Sequence, residues 1–406
     1  MNTTSILYSL PSEILVHIAS YQAAGDWLHF SYTRREINNL KKDPTIHINK
    51  NYNCSKNITD SDMKELGHYH TLNLVSCRKF TIDGLIHLKN IQKLNISDCE
   101  QITDQGLSHL KSIYSLNLCN CHQITNTGME YLKNVHTLDL SYCHKITDDG
   151  LSHLSNIRVL DLYDCKQITD AGLYHLKNVH TLDISNCYQI TDVGLKYLEN
   201  NIKVLNITRC FLITNQALSF LKNVEVLCMT SCHQIDYKGL GFLQRVHSLD
   251  LTNCQSITDR ELLCIKNVSH LTLTDCKIND CDLALLSNVR CLCLSGCLIS
   301  DNGLVHLRNV YSLDISSCRD VTDEGLVHLE NVVKLNISNC QQVTDKGLVH
   351  LRKVRVLNVS NCRLITKSGL SCFNGLQELI SNYNHQPQVG TFADSLIERI
   401  KRWLEY

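Results

Sequence analysis

The chain has only 3 prolines and 17 glycines in 406 residues, and it has no excess of either charge: 39 Lys and Arg stand against 40 Asp and Glu. So little proline and glycine excludes a low-complexity chain, and a hydrophobic share of 43% is enough for a substantial core. The balance of charge argues against a nucleic-acid surface built on bulk positive charge, and equally against an acidic solvating tail. No stretch approaches about 18 uncharged apolar residues, so no conventional membrane span is expected. Met1 to Pro11 lacks a basic segment followed by a long apolar one, and no secretory signal is expected. Zinc-spaced Cys-x-x-Cys pairs are missing, as is a glycine-rich phosphate loop. What is abundant is cysteine, 22 residues of it, with 20 histidines.

The cysteines are periodic. Cys77, Cys99, Cys121, Cys143, Cys165 and Cys187 recur every 22 residues. After one inserted residue in Glu199-Asn200-Asn201 the series resumes at Cys210, Cys232, Cys254, Cys276, Cys297, Cys318, Cys340 and Cys362. The two 21-residue steps follow the shortened turns Cys276-Lys277-Ile278 and Cys297-Leu298-Ile299. Fourteen of the 22 cysteines are thus one position of a repeat. A looser copy, from Ile46-His47-Ile48 through Cys54, Ile58, Thr59, Asp60 and Leu66, opens the array.

In the clearest copy Leu138 and Leu140 alternate at strand period, which predicts a short strand with these two side chains inward. Cys143 falls where the chain must turn, a place for a small, weakly polar side chain among backbone groups. Ile146 closes the layer, and Asp148 or Thr147 is placed to cap a short helical segment with Leu151 and Leu154 inward. One such unit cannot bury its apolar side alone; stacked units form a continuous core and a parallel sheet. The pattern Leu-x-x-Leu-x-Leu-x-x-Cys-x-x-Ile-Thr-Asp-x-Gly-Leu resembles the cysteine-containing leucine-rich repeat over about residues 44–380. The resemblance implies an α/β leucine-rich-repeat solenoid, a curved parallel sheet with short helices or turns outside. Repeats of that type commonly run longer, so abbreviated helices are expected after Leu154 and its equivalents.

The period changes ahead of the repeats. Leu10-Pro11-Ser12-Glu13-Ile14-Leu15 reads as a helix start, with Ile14, Leu15, Ile18 and Tyr21 along one face. Gly25-Asp26 breaks it, and Trp27, Leu28 and Phe30 begin a second helical stretch. Leu-Pro-x-Glu followed by apolar helix positions resembles the F-box. That resemblance implies docking onto the Skp adaptor subunit of a cullin–RING ubiquitin ligase through Leu10, Pro11, Glu13, Ile14, Leu15, Ile18, Tyr21, Trp27, Leu28 and Phe30. Gln22 stands where Leu is usual and Ile37 where Trp often stands. The alternative is a helical cap on the array. Three parts result: an F-box-like helical segment over 5–43, a repeat solenoid of about 15 turns over 44–382, and a tail over 383–406. In the tail, Leu396, Ile397, Ile400, Trp403 and Leu404 follow the spacing of an amphipathic capping helix.

The residues that carry chemistry elsewhere dissolve into the repeat. His87, His109, His153, His175, His306, His328 and His350 share one outer position, and the series Asp104, Asp148, Asp170, Asp192, Asp259, Asp301, Asp323 and Asp345 reads as turn and cap residues. Cys291 and Cys293 are the exception, expected as exposed thiols on the sheet. No enzyme, cofactor or metal is read. Surface remains: the concave face is expected to expose His136, Asp139, Tyr142, Asp161, Tyr163, His180, Asp183, Arg209, Asp250, Tyr311 and Asp314. An acidic strip flanked by tyrosines would suit a basic partner segment, or would merely solvate the sheet. The repeats from about 210 to 297 drift, with Ala217, Glu261 and Asp282 in place of the usual Gly.

Together these features point to a non-catalytic, intracellular (cytoplasmic or nuclear) adaptor, a monomer within a larger complex. Its partners would be the Skp subunit and an unknown target protein, with no nucleic acid and no membrane. The competing readings are a plain interaction scaffold or decoy, and a thiol-dependent enzyme or sensor.

Overall fold

A computed structural model describes residues 49–51 and 58–381, except 255, 256, 258, 266, 267 and 374. The F-box-like segment, Cys54 and the C-terminal stretch with Leu396, Ile397, Ile400, Trp403 and Leu404 lie outside the described residues. The chain divides into two compact units, the first ending at Gln167 and the second beginning at Ile168.

In the first unit the strands are β1 (Asn49–Asn51), β2 (Thr71–Asn73), β3 (Lys93–Asn95), β4 (Ser115–Asn117), β5 (Thr137–Asp139) and β6 (Val159–Asp161). Each pairs in parallel with the next, leucine opposite leucine from Leu72↔Leu94 to Leu138↔Leu160. In the second unit they are β7 (Thr181–Asp183), β8 (Val204–Asn206), β9 (Val226–Cys228), β10 (Ser248–Asp250), β11 (His270–Thr272), β12 (Cys291–Cys293), β13 (Ser312–Asp314), β14 (Lys334–Asn336), β15 (Val356–Asn358) and β16 (Glu378–Ile380). These too pair in parallel and in chain order. The inserted residue near Asn200 and the two shortened turns are absorbed between elements, because Thr181↔Val204, His270↔Cys291 and Cys291↔Ser312 keep the common register. The solenoid fold read from the period is the fold observed.

Each turn buries one layer. Leu138, Leu140, Cys143, Ile146, Leu151 and Leu154 are all at most 1% exposed. A three-residue strand ends where the backbone enters the left-handed region, at the residue directly before each ladder cysteine. Asp98, Asn120 and Asp164 in the first unit, and Asn253, Asp275, Asn339 and Asn361 in the second, have φ between 54° and 64°. Asn and Asp tolerate this conformation because their short polar side chains bond locally. Tyr142 (φ 61°) and Arg209 (φ 57°) occupy it with large side chains.

The helices are abbreviated, four residues in Asp148–Leu151 and in Asp323–Leu326, the latter continued by a 3-10 turn Val327–Leu329. Threonine is the cap: Thr125, Thr322 and Thr344 accept from the backbone N–H two residues on. The following aspartate does something else, reaching forward to the next turn. Asp104 accepts from Thr125 N at 2.8 Å and Thr125 Oγ1 at 2.6 Å. Asp323 does the same with Thr344 at 2.7 and 2.6 Å, and Asp345 with Thr366 at 2.7 and 2.6 Å. The glycine of the motif lies close to this carboxylate, a Cβ on Gly128 standing 2.5 Å from Asp104 Oδ1 and one on Gly347 2.5 Å from Asp323 Oδ1, yet Ala217 is accommodated after the intact Asp192–Thr214 pair.

At the far end of the second unit the layer opens. Leu370, Phe373, Leu376 and Leu379 are half-buried, whereas Leu348, Leu351, Val354 and Leu357 one turn earlier are buried. A cavity of about 340 Å³ lined by Val349, Arg355, Cys372 and Phe373 lies beside it.

Candidate interaction surface

The first, third and following positions of each strand lie on the face opposite the leucines. The third position is Asp or Asn in most turns, and its side chain folds back. Asp139 Oδ1 accepts from Ser141 N at 3.0 Å and from Ser141 Oγ, while its Oδ2 accepts from Asn117 Nδ2 at 2.9 Å. Asp183 repeats this with Ser185 N at 2.8 Å, Ser185 Oγ and Asn206 Nδ2 at 2.8 Å. Asp314 takes Ser316 N at 2.8 Å and Asn336 Nδ2 at 2.8 Å. Exposure falls to 8% at Asp139, 2% at Asp161 and 0% at Asp183. The expected acidic strip is therefore not exposed at these three positions. Its carboxylates serve the sheet, collecting N–H groups that the short strands leave without a ladder partner.

Asp250 and Asp314 are half-buried. Burial pushes the Asp250 carboxyl up against the pull of its bonds from Thr252 N (2.9 Å) and Thr252 Oγ1 (2.7 Å). A raised folded-state value means that Asp250 contributes most when protonated, and that this contribution is lost as pH rises through the folded value. Asparagine mimics the protonated form and already fills the position at Asn336 and Asn358, accepting from Ser338 N and Ser360 N at 3.0 Å. Asp250→Asn is therefore expected to stabilise the protein at neutral pH, with the advantage shrinking as pH falls below the carboxylate range. Urea titrations of both forms at neutral and acid pH check this; an advantage that grows toward acid pH would contradict it.

The other expected residues divide between the units. In the first, Tyr142 is exposed and meets the half-buried Tyr163 edge-on, ring centroids 5.0 Å apart, with His144 at 6.4 Å. His136 is half-buried and stacks on exposed Tyr114 at 4.7 Å. In the second, His180 is half-buried with Nδ1 2.9 Å from Asn178 O, and Arg209 is exposed beside the stacked pair Tyr188–Phe211, 5.7 Å apart. Exposed Tyr311 lies under the Arg290 guanidinium, 5.0 Å from ring centroid to carbon. Arg290 and Arg355, each just before a strand, and Lys334, the first residue of β14, were not among the residues singled out from the motif. The motif leaves these positions variable, and their alignment is visible only once the strand starts are known.

The periodic cysteines form a ladder of donors. Each thiol points at a backbone carbonyl of the previous turn: Cys143 at Leu118 O (3.2 Å), Cys210 at Ile184 O (3.1 Å), Cys276 at Leu251 O (3.2 Å) and Cys340 at Ile315 O (3.2 Å). Each of these carbonyls also accepts the backbone N–H of its own turn's cysteine, as Leu118 O does from Cys121 N at 3.0 Å, so the thiol adds a second bond to a buried acceptor. Burial and the neighbouring thiols push Cys143 and Cys210 well above the ordinary thiol range. Cys291 is buried and Cys293 half-buried, so the expected exposure of this pair is corrected too. Burial, with Asp314 adding to it, pushes the Cys293 thiol up to about 12, and Thr274 Oγ1 sits 3.2 Å from its sulfur. Cys264, Cys281 and Cys372 are the exposed thiols among the described residues. Among those residues no group of three or more His, Cys, Asp or Glu side chains is placed to hold a metal ion, and no helix is long and apolar enough to cross a membrane.

A family model for the leucine-rich repeat matches residues 87–111, 131–155, 153–177, 175–198, 306–329, 328–351 and 350–373. The chain is built of leucine-rich repeats. Solved structures of similar fold include the TLR13–ssRNA13 complex, with a TM-score of 0.58 and 16% identity over 83% of this chain. An internalin, InlF, from Listeria monocytogenes gives 0.52 and 22% over 77% of this chain and 89% of its own. The mouse RP105/MD-1 complex gives 0.53 and 15% over 78% of this chain and 67% of its own. This leucine-rich-repeat chain spans 55% of the first of these. At such identities the likeness is one of fold. No curated protein matches the chain in sequence. Leucine-rich repeats indicate protein–protein interaction.

Proposed function

We propose that the chain is the substrate-recognition adaptor of an SCF-type cullin–RING ubiquitin ligase. The F-box-like segment would dock the Skp subunit, and the leucine-rich repeats would hold a target protein. The observation that carries this reading is the combination of Leu10-Pro11-Ser12-Glu13, with its apolar helix positions, and the repeat array that follows it. Neither half is specific alone; an apolar helical stripe is common, and leucine-rich repeats serve many partners. The adaptor supplies no reacting group. Tethering raises the effective concentration of the transfer machinery at the target.

Affinity purification of the full chain from cells tests this. The Skp subunit is expected to be retained by the wild type and lost with Leu10→Ala combined with Pro11→Ala. Retention of Skp by the double variant at wild-type strength would sink the assignment.

A further inference from the structure

In the second unit the strand aspartates are engaged by neighbouring Ser, Thr and Asn groups, whereas the rim where the chain enters β10 to β15 is open and predominantly basic. Six neighbouring strands, β10 to β15, each bring one basic or aromatic side chain to this rim, His247, Arg290, Tyr311 and Arg355 directly before their strands and His270 and Lys334 one position on, as the first strand residue. The turns leading in add Arg245, Arg308, Arg352 and Lys353, all exposed. Within the five residues at each of these approaches, from Gln244-Arg245-Val246-His247-Ser248 to Arg352-Lys353-Val354-Arg355-Val356, Glu330 is the sole acid.

The whole chain is nearly neutral at −1, so this rim is a segregation of charge and not a reflection of composition. Four acids of the same turns lie away from it, in the first turns of the helices, where Asp280, Asp301, Asp323 and Asp345 are bonded to the next turn. Among the described residues Arg245, Arg290, Arg308 and Arg352 have no acidic partner at ion-pair distance. The field reaches the sheet itself: burial, His247 and Arg290 hold His270 below its usual value, and Arg290 and Lys334 oppose the upward push of burial on Cys291.

We propose that this rim is the target-contact surface of the second unit and that it takes an extended, Asp- and Glu-rich segment of a partner protein. The proposal rests on the protein-binding reading of the repeats and names the partner's chemistry. It reverses the basic partner that the Asp row suggested, because those carboxylates are occupied within the sheet. Strands about 4.8 Å apart spread the six side chains over about 24 Å, which an extended segment of about seven or eight residues spans. Tyr311, held under Arg290, supplies a flat apolar contact between the charges. A single exposed aromatic is no stacking platform for successive bases, and the near-neutral chain lacks the bulk charge that nucleic acids select.

The test is fluorescence anisotropy of the full chain with a labelled peptide of about ten residues alternating Glu and Gly, its Lys counterpart, and a single-stranded RNA of similar length. The Glu peptide is expected to bind saturably, to weaken as salt is raised, and to lose affinity roughly tenfold or more with Arg290→Glu plus Arg355→Glu. Both side chains are exposed, so the fold, followed by circular dichroism, should persist. No binding of the Glu peptide, binding indifferent to the double reversal, preference for the Lys peptide, or tighter binding of the RNA would each overturn the proposal. Co-purification of Skp separates the two readings. The charge-reversed variant should still retain Skp, so loss of peptide binding alone leaves the adaptor reading standing. Loss of Skp retention with peptide binding intact removes only the adaptor reading.

Discussion

Near pH 10 the second unit is expected to unfold cooperatively, releasing its ladder thiols together. Burial first, and neighbouring thiols after it, push Cys232, Cys276 and Cys340 up to about 12 from an ordinary value of 9.0. Burial likewise pushes Cys254 and Cys297 up to about 11. A folded value above the unfolded one favours the neutral thiol. The associated stability is therefore complete below pH 9 and lost as pH rises through 9 toward 11 and 12. By about pH 10 each such thiol has lost on the order of 1 kcal/mol against the unfolded chain, several kcal/mol for the five together. A loss of that size is comparable with the whole stability of an ordinary domain, about 5–15 kcal/mol. Circular dichroism and Ellman titration over the same pH series should show ellipticity and buried thiols changing in one transition. Gradual reaction of the ladder thiols with the fold intact would contradict the ladder. Alanine at Cys276 and Cys340 should raise the alkaline midpoint while lowering stability at neutral pH, since it removes both the ionisable group and the S–H donor.

Changing Asp301, Asp323 and Asp345 together to alanine is expected to cost about 5 kcal/mol, ~2 kcal/mol at each of Asp301 and Asp323, whose bonds are partly buried, and ~1 kcal/mol at Asp345, whose bonds are exposed. Each carboxylate accepts one N–H and one O–H of the next turn, Asp301 at 2.8 and 2.6 Å from Thr322. Deleting it leaves the threonine N–H and Oγ1 without that acceptor. Asparagine is expected to recover more than half of the loss, because the chain already uses it. Asn126 accepts from Thr147 N at 2.9 Å and donates to Thr147 Oγ1 at 2.8 Å, and Asn215 bonds Asp236 in the same two-bond manner at 2.9 and 2.8 Å. Urea midpoints of the Ala and Asn triple variants decide the matter. Equal cost for the two, or a cost under about 1 kcal/mol for the alanines, would show that the aspartates are surface decoration.

The strand, the cysteine turn and the short helix were legible because a solenoid repeats one local solution, and each repeat samples the same pattern again. Leu138, Leu140 and Cys143 declared their burial through spacing alone. The division of labour between Thr147 and Asp148 stayed open, since both residues are good caps; only the forward bond from each aspartate to the next turn, seen at Asp104 and Asp323, resolves it. The aspartate of the preceding turn crowds the glycine position, though Ala217 fills that position beside the intact Asp192–Thr214 pair.

The sequence by itself determined the period, the core layer, the parallel order of the strands and the abbreviated helices, because these follow from apolar spacing and turn length. Tertiary structure decided which polar residues are available to a partner. Asp139, Asp161 and Asp183 stand at outward strand positions, yet short strands leave backbone N–H groups in need of acceptors, and the nearest carboxylates fold back to serve them. Arg290 and Arg355 keep exposed side chains at the rim, Arg355 reaching Gly375 O at 3.3 Å, while Lys334 is half-buried. Outward position is a property of the pattern; exposure depends on what the neighbouring turns require.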